Sequence, residues 1–232
     1  MSKVWHGREM LVGILGGTGP AGRALGTRLA ANGGEVVLGS RSLERGEEIA
    51  ADVRAQWPDQ ILLVRGGTNE DAAACDVVVL ATPWDGAVAT VLELAGALEG
   101  KLAVSMVNAL TRVGREFQAL VPVRGSIAAT VQAALPNSTV TAAFQHLPAR
   151  ELGAIDGPLE ADVLICADTP AGANATAALV EAMPGLRAVQ AGSLASANAV
   201  EALTAVLLNV NIKYKSHVAL RLEGLSPQAP AN

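Results

Sequence analysis

A glycine-rich segment close to the N-terminus constrains the fold of this chain more than any other feature. The segment runs Gly16-Gly17-Thr18-Gly19-Pro20-Ala21-Gly22. Its second, fourth and seventh residues satisfy the pattern G-x-G-x-x-G, an apolar run (residues 11–15) precedes it, and a helical pattern (residues 20–32) follows. Because a strand before and a helix after are the context in which this motif binds a dinucleotide, the sequence predicts a nucleotide site here. A glycine-rich turn without a ligand is the alternative.

The three glycines of the pattern have separate structural roles. Gly17 permits the tight turn, Gly19 lets the backbone approach the pyrophosphate, and Gly22 lets the helix pack against the strand. Pro20 suits the first helical turn, where its missing N–H removes no intrahelical hydrogen bond. The N–H groups and the positive dipole end of the helix N-terminus then provide the phosphate contacts.

The end of the second predicted strand indicates which dinucleotide is bound. A site for NAD usually has Asp or Glu there, which binds the ribose hydroxyls. This chain instead has Ser40 and Arg41, and Arg45 follows one helical turn later. A hydroxyl and two guanidinium groups can hold a 2′-phosphate by charge-assisted hydrogen bonds, whereas a carboxylate would repel it. The sequence therefore favours NADP over NAD, and ordinary solvated arginines are the alternative.

Apolar runs alternate with helical patterns along the rest of the chain. The strand-like runs are residues 35–38, 61–64, 76–81, 102–107, 139–144, 162–167 and 187–191. The helical patterns are residues 43–57, 69–74, 84–98, 126–135, 171–183 and 194–214. This alternation predicts an α/β fold, a Rossmann-like, doubly wound, mostly parallel sheet with a small C-terminal helical part. We expect an NADP-binding domain over 10–192, a helical segment for pocket closure and dimerisation over 193–225, and flexible ends at 1–9 and 226–232.

Composition excludes several classes of protein. Half of the residues are hydrophobic and 17% are charged, which excludes a disordered chain. A net charge of −5 argues against nucleic acid or an anionic membrane as the main partner. No apolar run approaches the roughly 20 residues of a membrane span, residues 1–9 lack the apolar stretch of a signal peptide, and Cys75 and Cys166 form no CxxC motif. We therefore expect a cytoplasmic protein with two buried, inert thiols, no membrane or nucleic-acid partner and no metal site.

Two further segments follow apolar strands, at the sheet edge where ligands of doubly wound folds bind. The first is Ala81-Thr82-Pro83-Trp84-Asp85, in which Pro83 stops the strand and Trp84 offers a wide, flat surface. The second is Phe144-Gln145-His146-Leu147-Pro148-Ala149, in which His146 is a candidate hydrogen-bond donor near the reacting rings. A core tryptophan and a structural histidine are the respective alternatives.

Together these segments resemble those of a known family, the NADPH-dependent reductases of the deazaflavin coenzyme F420, also called F420H2:NADP oxidoreductases. The matching segments are the glycine loop, GSR at 39–41, TPW at 82–84, HLPA at 146–149 and LTAVLLNVNIKYK at 203–215. The resemblance covers roughly residues 10–225. It implies a Rossmann-like domain that holds NADP and a small C-terminal part that helps to close the deazaflavin pocket and to form a homodimer.

The resemblance also implies where both cofactors bind. It places the pyrophosphate on Thr18, Gly19, Pro20 and Ala21, within the loop that Gly17 and Gly22 frame, and the 2′-phosphate on Ser40, Arg41 and Arg45. It lines the nicotinamide end with Thr82, Asn108 and Ala149. It places near the deazaflavin Trp84, which follows Pro83, and Gln145, His146, Leu147 and Pro148. Members often have a histidine where this chain has Gln145, and His146 is a candidate to replace it.

The chemistry that the resemblance implies is hydride transfer between two bound carriers, which needs no obligate acid or nucleophile from the protein. His146 would then be a tuning group. A related NADP-dependent reductase of imines or carbonyls would need a proton donor, for which His146 and Tyr214 are the candidates. A non-enzymatic NADP-sensing protein of the same fold is the third hypothesis, and the fold alone does not decide among them.

Overall fold

A computed structural model of the protein describes residues 11–225, so the predicted flexible ends at 1–9 and 226–232 lie outside the described residues. The strands are β1 (Leu11–Leu15), β2 (Glu35–Ser40), β3 (Val64–Thr68), β4 (Val77–Leu80), β5 (Leu102–Ser105), β6 (Leu110–Val113), β7 (Glu116–Ala119), β8 (Thr139–Ala142), β9 (Ala161–Ala167) and β10 (Leu186–Gln190). The helices are α1 (Pro20–Ala31), α2 (Leu43–Gln56), α3 (Asn69–Ala73), α4 (Trp84–Glu93), α5 (Ala95–Leu98), α6 (Ile127–Ala134), α7 (Ala149–Gly153), α8 (Pro170–Glu181) and α9 (Ala197–Tyr214).

One large sheet organises these elements, with strands in the order β10-β9-β8-β5-β4-β1-β2-β3. All neighbouring pairs are parallel except β8 and β9, which are antiparallel. Within the described residues β6 and β7 form a separate antiparallel hairpin. The prediction of a Rossmann-like, mostly parallel doubly wound sheet is therefore confirmed.

Successive side chains of the central strands alternate between two apolar layers, as the period of two requires. Val12 and Ile14 of β1 belong to the layer that packs under α1, α2, α7 and α8. Leu15 belongs to the opposite layer, which packs under α3, α4, α6 and α9. Because both faces of the sheet are covered, the central strands are continuous apolar runs. Because these strands are parallel, the carboxyl ends of β1, β2, β4, β5 and β8 lie at one edge of the sheet.

The third strand was predicted wrongly. The apolar run at 61–64 was expected to form it, but the strand is Val64–Thr68, and Ile61 is 90% exposed. The strand contains Gly66 and Gly67, residues that strands ordinarily disfavour. A Cβ on Gly66 would lie 2.1 Å from the backbone carbon of Gly46 in α2, so glycine is needed for α2 to pack directly on β3.

Polar side chains attach α9 to the domain at several points. The Glu201 carboxylate is 4% exposed and accepts hydrogen bonds from the backbone N–H of Ile127 (2.9 Å) and Ala128 (3.1 Å), at the start of α6. Burial raises the pKa of Glu201, against the lowering effect of these two bonds. Further along, the Asn209 side chain bonds both the N–H and the carbonyl of Phe117 in the hairpin.

Contrary to the expectation from the sequence, one helical stretch meets the length and composition of a membrane span. It is Leu194–Tyr214, which includes α9, and 28% of it is buried. Its middle carries the buried Glu201 carboxylate, whose partners are backbone groups of α6. A carboxylate in that position suits a helix packed on a protein domain better than one in lipid.

Candidate functional site

The glycine loop connects β1 to α1 and lies between the ends of β2 and β4. Gly16 has φ +70°, a left-handed conformation that favours glycine, and its N–H donates to Asn69 Oδ1 at 3.2 Å. The Gly17 N–H donates to the carbonyls of Ile14 (3.0 Å) and Gly39 (2.8 Å). The tight turn thus depends on Gly16 as well as Gly17, and Asn69 supports it from α3. Sequence reasoning included neither Gly16 nor Asn69 in the site.

The N-terminus of α1 is open to an anion. Gly19 precedes the helix without a side-chain cap, Pro20 is its first residue, and the first turn has no acidic residue. The N–H groups of a first helical turn have no intrahelical acceptor, so a phosphate can bind them. A Cβ on Gly22 would lie 3.0 Å from the Cβ of Ala81, which explains why the third glycine is needed where α1 crosses β4.

The end of β2 presents the residues predicted to bind a 2′-phosphate. Ser40 ends the strand and is 7% exposed, whereas Arg41 is exposed. Ser42 caps α2 by accepting from the Arg45 N–H at 3.3 Å. The Arg45 guanidinium contacts Glu48 at 2.6 Å, so this arginine already has an acidic neighbour that the sequence analysis had not considered. The pair is exposed on both sides, so it is weak and a phosphate can compete for it.

The ends of β4, β5 and β8 bring together the other predicted residues. Asn108 Nδ2 donates to the Gln145 carbonyl at 2.8 Å, which joins the segments that follow β5 and β8. The Thr204 hydroxyl on α9 lies 3.1 Å from both Asn108 Oδ1 and the Gln145 carbonyl oxygen. Sequence reasoning missed Thr204, because nothing in an apolar helix indicates a contact with residues about 60 and 100 positions away. Phe144, just before Gln145, has φ +69°.

His146 lies in this group but faces the protein. It is 3% exposed, its Nε2 lies 2.9 Å from the carbonyl oxygen of Asp162, and burial lowers its pKa. Because a carbonyl only accepts, Nε2 carries the proton and Nδ1 is an acceptor. A neutral imidazole in this tautomer has no N–H left to offer to a bound ring. The structural interpretation of His146 therefore fits the geometry better than a donor role.

Asp162 in turn holds the C-terminal segment in place. Its carboxylate is fully buried and accepts from Arg187 Nε at 2.7 Å and Arg187 Nη2 at 2.6 Å, and from the Leu222 N–H. Burial alone would raise the pKa of Asp162, but these bonds and the charges of Arg187 and Arg221 together hold it below its usual value. The segment around Leu222 is thereby fixed beside the His146 loop.

Four buried polar atoms at this edge have no hydrogen-bond partner. They are Thr82 Oγ1, Gln145 Nε2, Gln145 Oε1 and His146 Nδ1. Among the described residues, the other such atoms belong to Trp57, Glu151 and Ser216. Unpartnered buried polar groups are rare in native proteins, and a missing ligand is one of the standard reasons for them. Their concentration after β4 and β8 makes this edge of the sheet the candidate ligand site.

The remaining predicted residues surround these polar atoms. Trp84 begins α4 and is 39% exposed, so the alternative of a core tryptophan is wrong. Pro148 precedes α7 and Ala149 begins it. A groove of about 510 Å³ between α1 and α7 is lined by both Pro20 and Ala149, which brings the phosphate loop next to the segment after β8.

Two other expectations concern reactive groups. Cys75 and Cys166 are free and buried, and burial raises the pKa of each thiol to about 11, which confirms the prediction of inert cysteines. Tyr214 is 68% exposed at the end of α9, ten residues or about 15 Å of helix beyond Thr204. Neither His146 nor Tyr214 is therefore placed as a proton donor for an imine or carbonyl.

The fold and this site define a protein of the Rossmann type with a candidate dinucleotide site. The sequence profile of the family "NADP oxidoreductase coenzyme F420-dependent" matches residues 11–109. The F420-dependent NADP reductase of Methanocaldococcus jannaschii is 36% identical over 217 residues, which span 89% of this chain and 95% of that protein. The enzyme of the same name from Methanothermobacter marburgensis is 32% identical, over 88% of this chain and 93% of that protein. The chain belongs to the F420-dependent NADP reductase family.

A solved structure from Arthrobacter sp. FB24 shares the fold. It superposes with a TM-score of 0.76 over 90% of this chain and 96% of its own, at 22% sequence identity. At this identity the likeness bears on the fold alone.

Proposed function

We propose that this protein transfers a hydride reversibly between NADP(H) and the deazaflavin coenzyme F420. The observation that carries the proposal is the group of unpartnered polar atoms on Thr82, Gln145 and His146, beside a glycine loop and an uncapped helix N-terminus. The family to which the chain belongs supplies the identity of the two carriers.

The phosphates of NADP would bind along the ends of β1 and β2. Gly17, Thr18, Gly19, Pro20, Ala21 and Gly22 form the pyrophosphate loop. Ser40, Arg41 and Arg45 would hold the 2′-phosphate. The nicotinamide would then extend toward Thr82, Asn108 and Ala149, which follow the carboxyl ends of β4, β5 and β8. The hydrogen-bond donors and acceptors without partners at that end suit the nicotinamide ring, whose carboxamide has both N–H groups and a carbonyl oxygen.

The deazaflavin would lie against Trp84 and the segment Gln145, His146, Leu147 and Pro148. When bound, the two carriers supply the hydride chemistry themselves. The protein would hold their rings in contact, with reacting carbons about 3–3.5 Å apart, and exclude water. Trp84 is 39% exposed and offers apolar surface for a ring, whereas Leu147 is 9% exposed and would support the ring from the core. Pro83 follows the end of β4 by three residues and directly precedes α4, of which Trp84 is the first residue.

A homodimer formed through α9 accompanies this proposal. The helix buries Glu201, Thr204 and Ala205 against the domain, while Val206 (56%) and Ile212 (45%) remain exposed. Exposed apolar side chains on a helix can be covered by a second copy of the chain. We further propose that residues 193–225 act as the pocket-closing and dimerising segment of a domain that spans 10–192, and that the protein works in the cytoplasm.

The test mixes the purified protein with NADPH and oxidised F420 and follows the visible absorbance of the deazaflavin. We expect this absorbance to disappear when NADPH is the donor, and to decrease much less when NADH is the donor. Turnover of a simple imine or carbonyl substrate without any reaction of the deazaflavin would instead support the related reductase. Binding of NADP(H) with turnover of neither would support an NADP-sensing protein.

A further inference from the structure

Gln145 is the residue of the site whose hydrogen-bonding capacity is least used. It is 5% exposed, yet neither Nε2 nor Oε1 has a partner. Its backbone is the opposite case, because its carbonyl accepts from Asn108 Nδ2 at 2.8 Å and from Thr204 Oγ1 at 3.1 Å. The peptide is fixed, and the side chain can turn without breaking any hydrogen bond.

A free primary amide has a definite complement. It offers an N–H donor beside a carbonyl acceptor, so its best partner offers an acceptor beside a donor on one edge. Amides and imides have such an edge. Both proposed carriers contain one, the carboxamide of the nicotinamide and the imide of the pyrimidine ring of the deazaflavin.

We propose that the Gln145 carboxamide recognises one cofactor ring by a pair of hydrogen bonds to its amide or imide edge. The inference rests on the proposed function and adds a specificity-determining residue to it. Within the cluster, Gln145 alone offers a donor and an acceptor on two adjacent atoms, because the Thr82 hydroxyl carries both on one oxygen and the His146 N–H is used by Asp162. A histidine at position 145 could not reproduce the pair, since the donor and acceptor of a neutral imidazole point in different directions.

The conformation of the preceding residue supports a ligand-binding role. Phe144 has φ +69° and is 1% exposed, an uncommon backbone state for a bulky residue. Such states persist where the surrounding structure holds them, and they cluster at ligand sites. Here the Phe144 carbonyl accepts from the Leu147 N–H at 3.1 Å, and the two hydrogen bonds to the Gln145 carbonyl hold the next peptide.

If the Gln145 amide is structural, removing it should lower the melting temperature of the free protein, whereas a ligand-binding role predicts no such loss. Met is close to Gln in shape and makes no comparable hydrogen bonds. If the amide awaits a ligand, Gln145→Met removes an unpaired buried group, so the melting temperature of the free protein stays equal or rises. Gln132→Met is the matched control, because the Gln132 amide bonds the carbonyls of Leu135 and Ser138 and the N–H of Val140.

The experiment combines thermal melts of the free variants with fluorescence titrations of oxidised F420 and of NADP+ on the full chain. We expect Gln145→Met to weaken one cofactor roughly 5- to 150-fold, the equivalent of two neutral hydrogen bonds, without lowering the melting temperature. Gln132→Met should lower the melting temperature and leave both affinities unchanged. Loss confined to F420 assigns the imide edge, and loss confined to NADP+ assigns the nicotinamide carboxamide.

The inference is overturned if Gln145→Met changes neither affinity, or if it lowers the melting temperature as much as Gln132→Met does. If wild-type protein binds no F420, the proposed function fails. The NADP+ titration then decides the inference by itself, and an unchanged affinity overturns it.

Discussion

The choice of NADP over NAD depends on the end of β2, and the two arginines there are not equivalent. Arg41 is exposed, with a free approach to a phosphate beside Ser40. Arg45 is occupied by Glu48, at 2.6 Å between the guanidinium and the carboxylate. We therefore expect Arg41→Ala to weaken NADP(H) binding more than Arg45→Ala does.

The size of each effect follows from the contact involved. A hydrogen bond to a charged group contributes about 1.5–3 kcal/mol, so Arg41→Ala should weaken NADP(H) roughly 10- to 150-fold. The exposed Arg45–Glu48 pair is worth about 0.2–1 kcal/mol, which a phosphate must displace. Glu48→Gln should consequently tighten NADP(H) by a factor of roughly 1.5 to 5.

The assay is equilibrium titration of each variant with NADPH and, in parallel, with NADH. NADH lacks the 2′-phosphate, so its affinity should change little in all three variants. Equal loss for both nucleotides in Arg41→Ala would refute the assignment of the phosphate to Arg41. Weaker NADPH binding in Glu48→Gln would refute the competition argument.

Three further predictions concern other parts of the molecule. Asp162→Asn should lower the free energy of unfolding at pH 7 by about 3 kcal/mol, the low end for a buried pair because Arg187 is partly exposed. The folded protein lowers the pKa of Asp162, so the carboxylate stabilises the fold above the usual Asp pKa and loses this effect as the pH falls below it. Urea titrations should therefore show that the difference in unfolding free energy between wild type and Asp162→Asn shrinks below about pH 4. A difference that stays constant with pH would contradict this prediction. Val206→Glu should convert the proposed dimer to a monomer, as measured by light scattering, whereas Ile61→Glu, at a more exposed apolar position outside α9, should not. His146→Ala should slow turnover at most roughly 2- to 13-fold, the effect of one lost neutral hydrogen bond, and near-complete inactivation would indicate an obligate acid.

The phosphate loop was predictable because its determinants are local. Gly17, Gly19 and Gly22 lie within six residues, and the strand and helix around them have clear periodicities. The prediction that Ser40 and Arg41 bind the 2′-phosphate also depends on local sequence, since both lie at the end of a recognisable strand. Glu48 was not considered, because its contact with Arg45 depends on side-chain conformations on an exposed helix.

The rest of the site depends on contacts between distant residues. Thr204 lies 96 positions from Asn108 and 59 from Gln145, so its role emerges only when α9 docks on the sheet. The direction of the His146 ring is likewise set by Asp162 on another strand, which turned a candidate donor into a buried acceptor. The position of β3 was predicted wrongly because of its composition. Gly66 and Gly67 allow α2 to pack closely on the strand, but they weaken its sequence pattern.

The central claim is direct hydride transfer between two carriers held in contact. The most direct measurement uses NADPH carrying deuterium at the transferred position of the nicotinamide, with oxidised F420 as acceptor, in ordinary water. The account predicts that the reduced deazaflavin retains the deuterium, because the transfer passes through no exchangeable protein group. Within residues 11–225, neither the neutral, internally bonded His146 nor the exposed Tyr214 is placed as a proton relay. Loss of the deuterium to solvent during turnover, with no label in the deazaflavin product, would contradict the account.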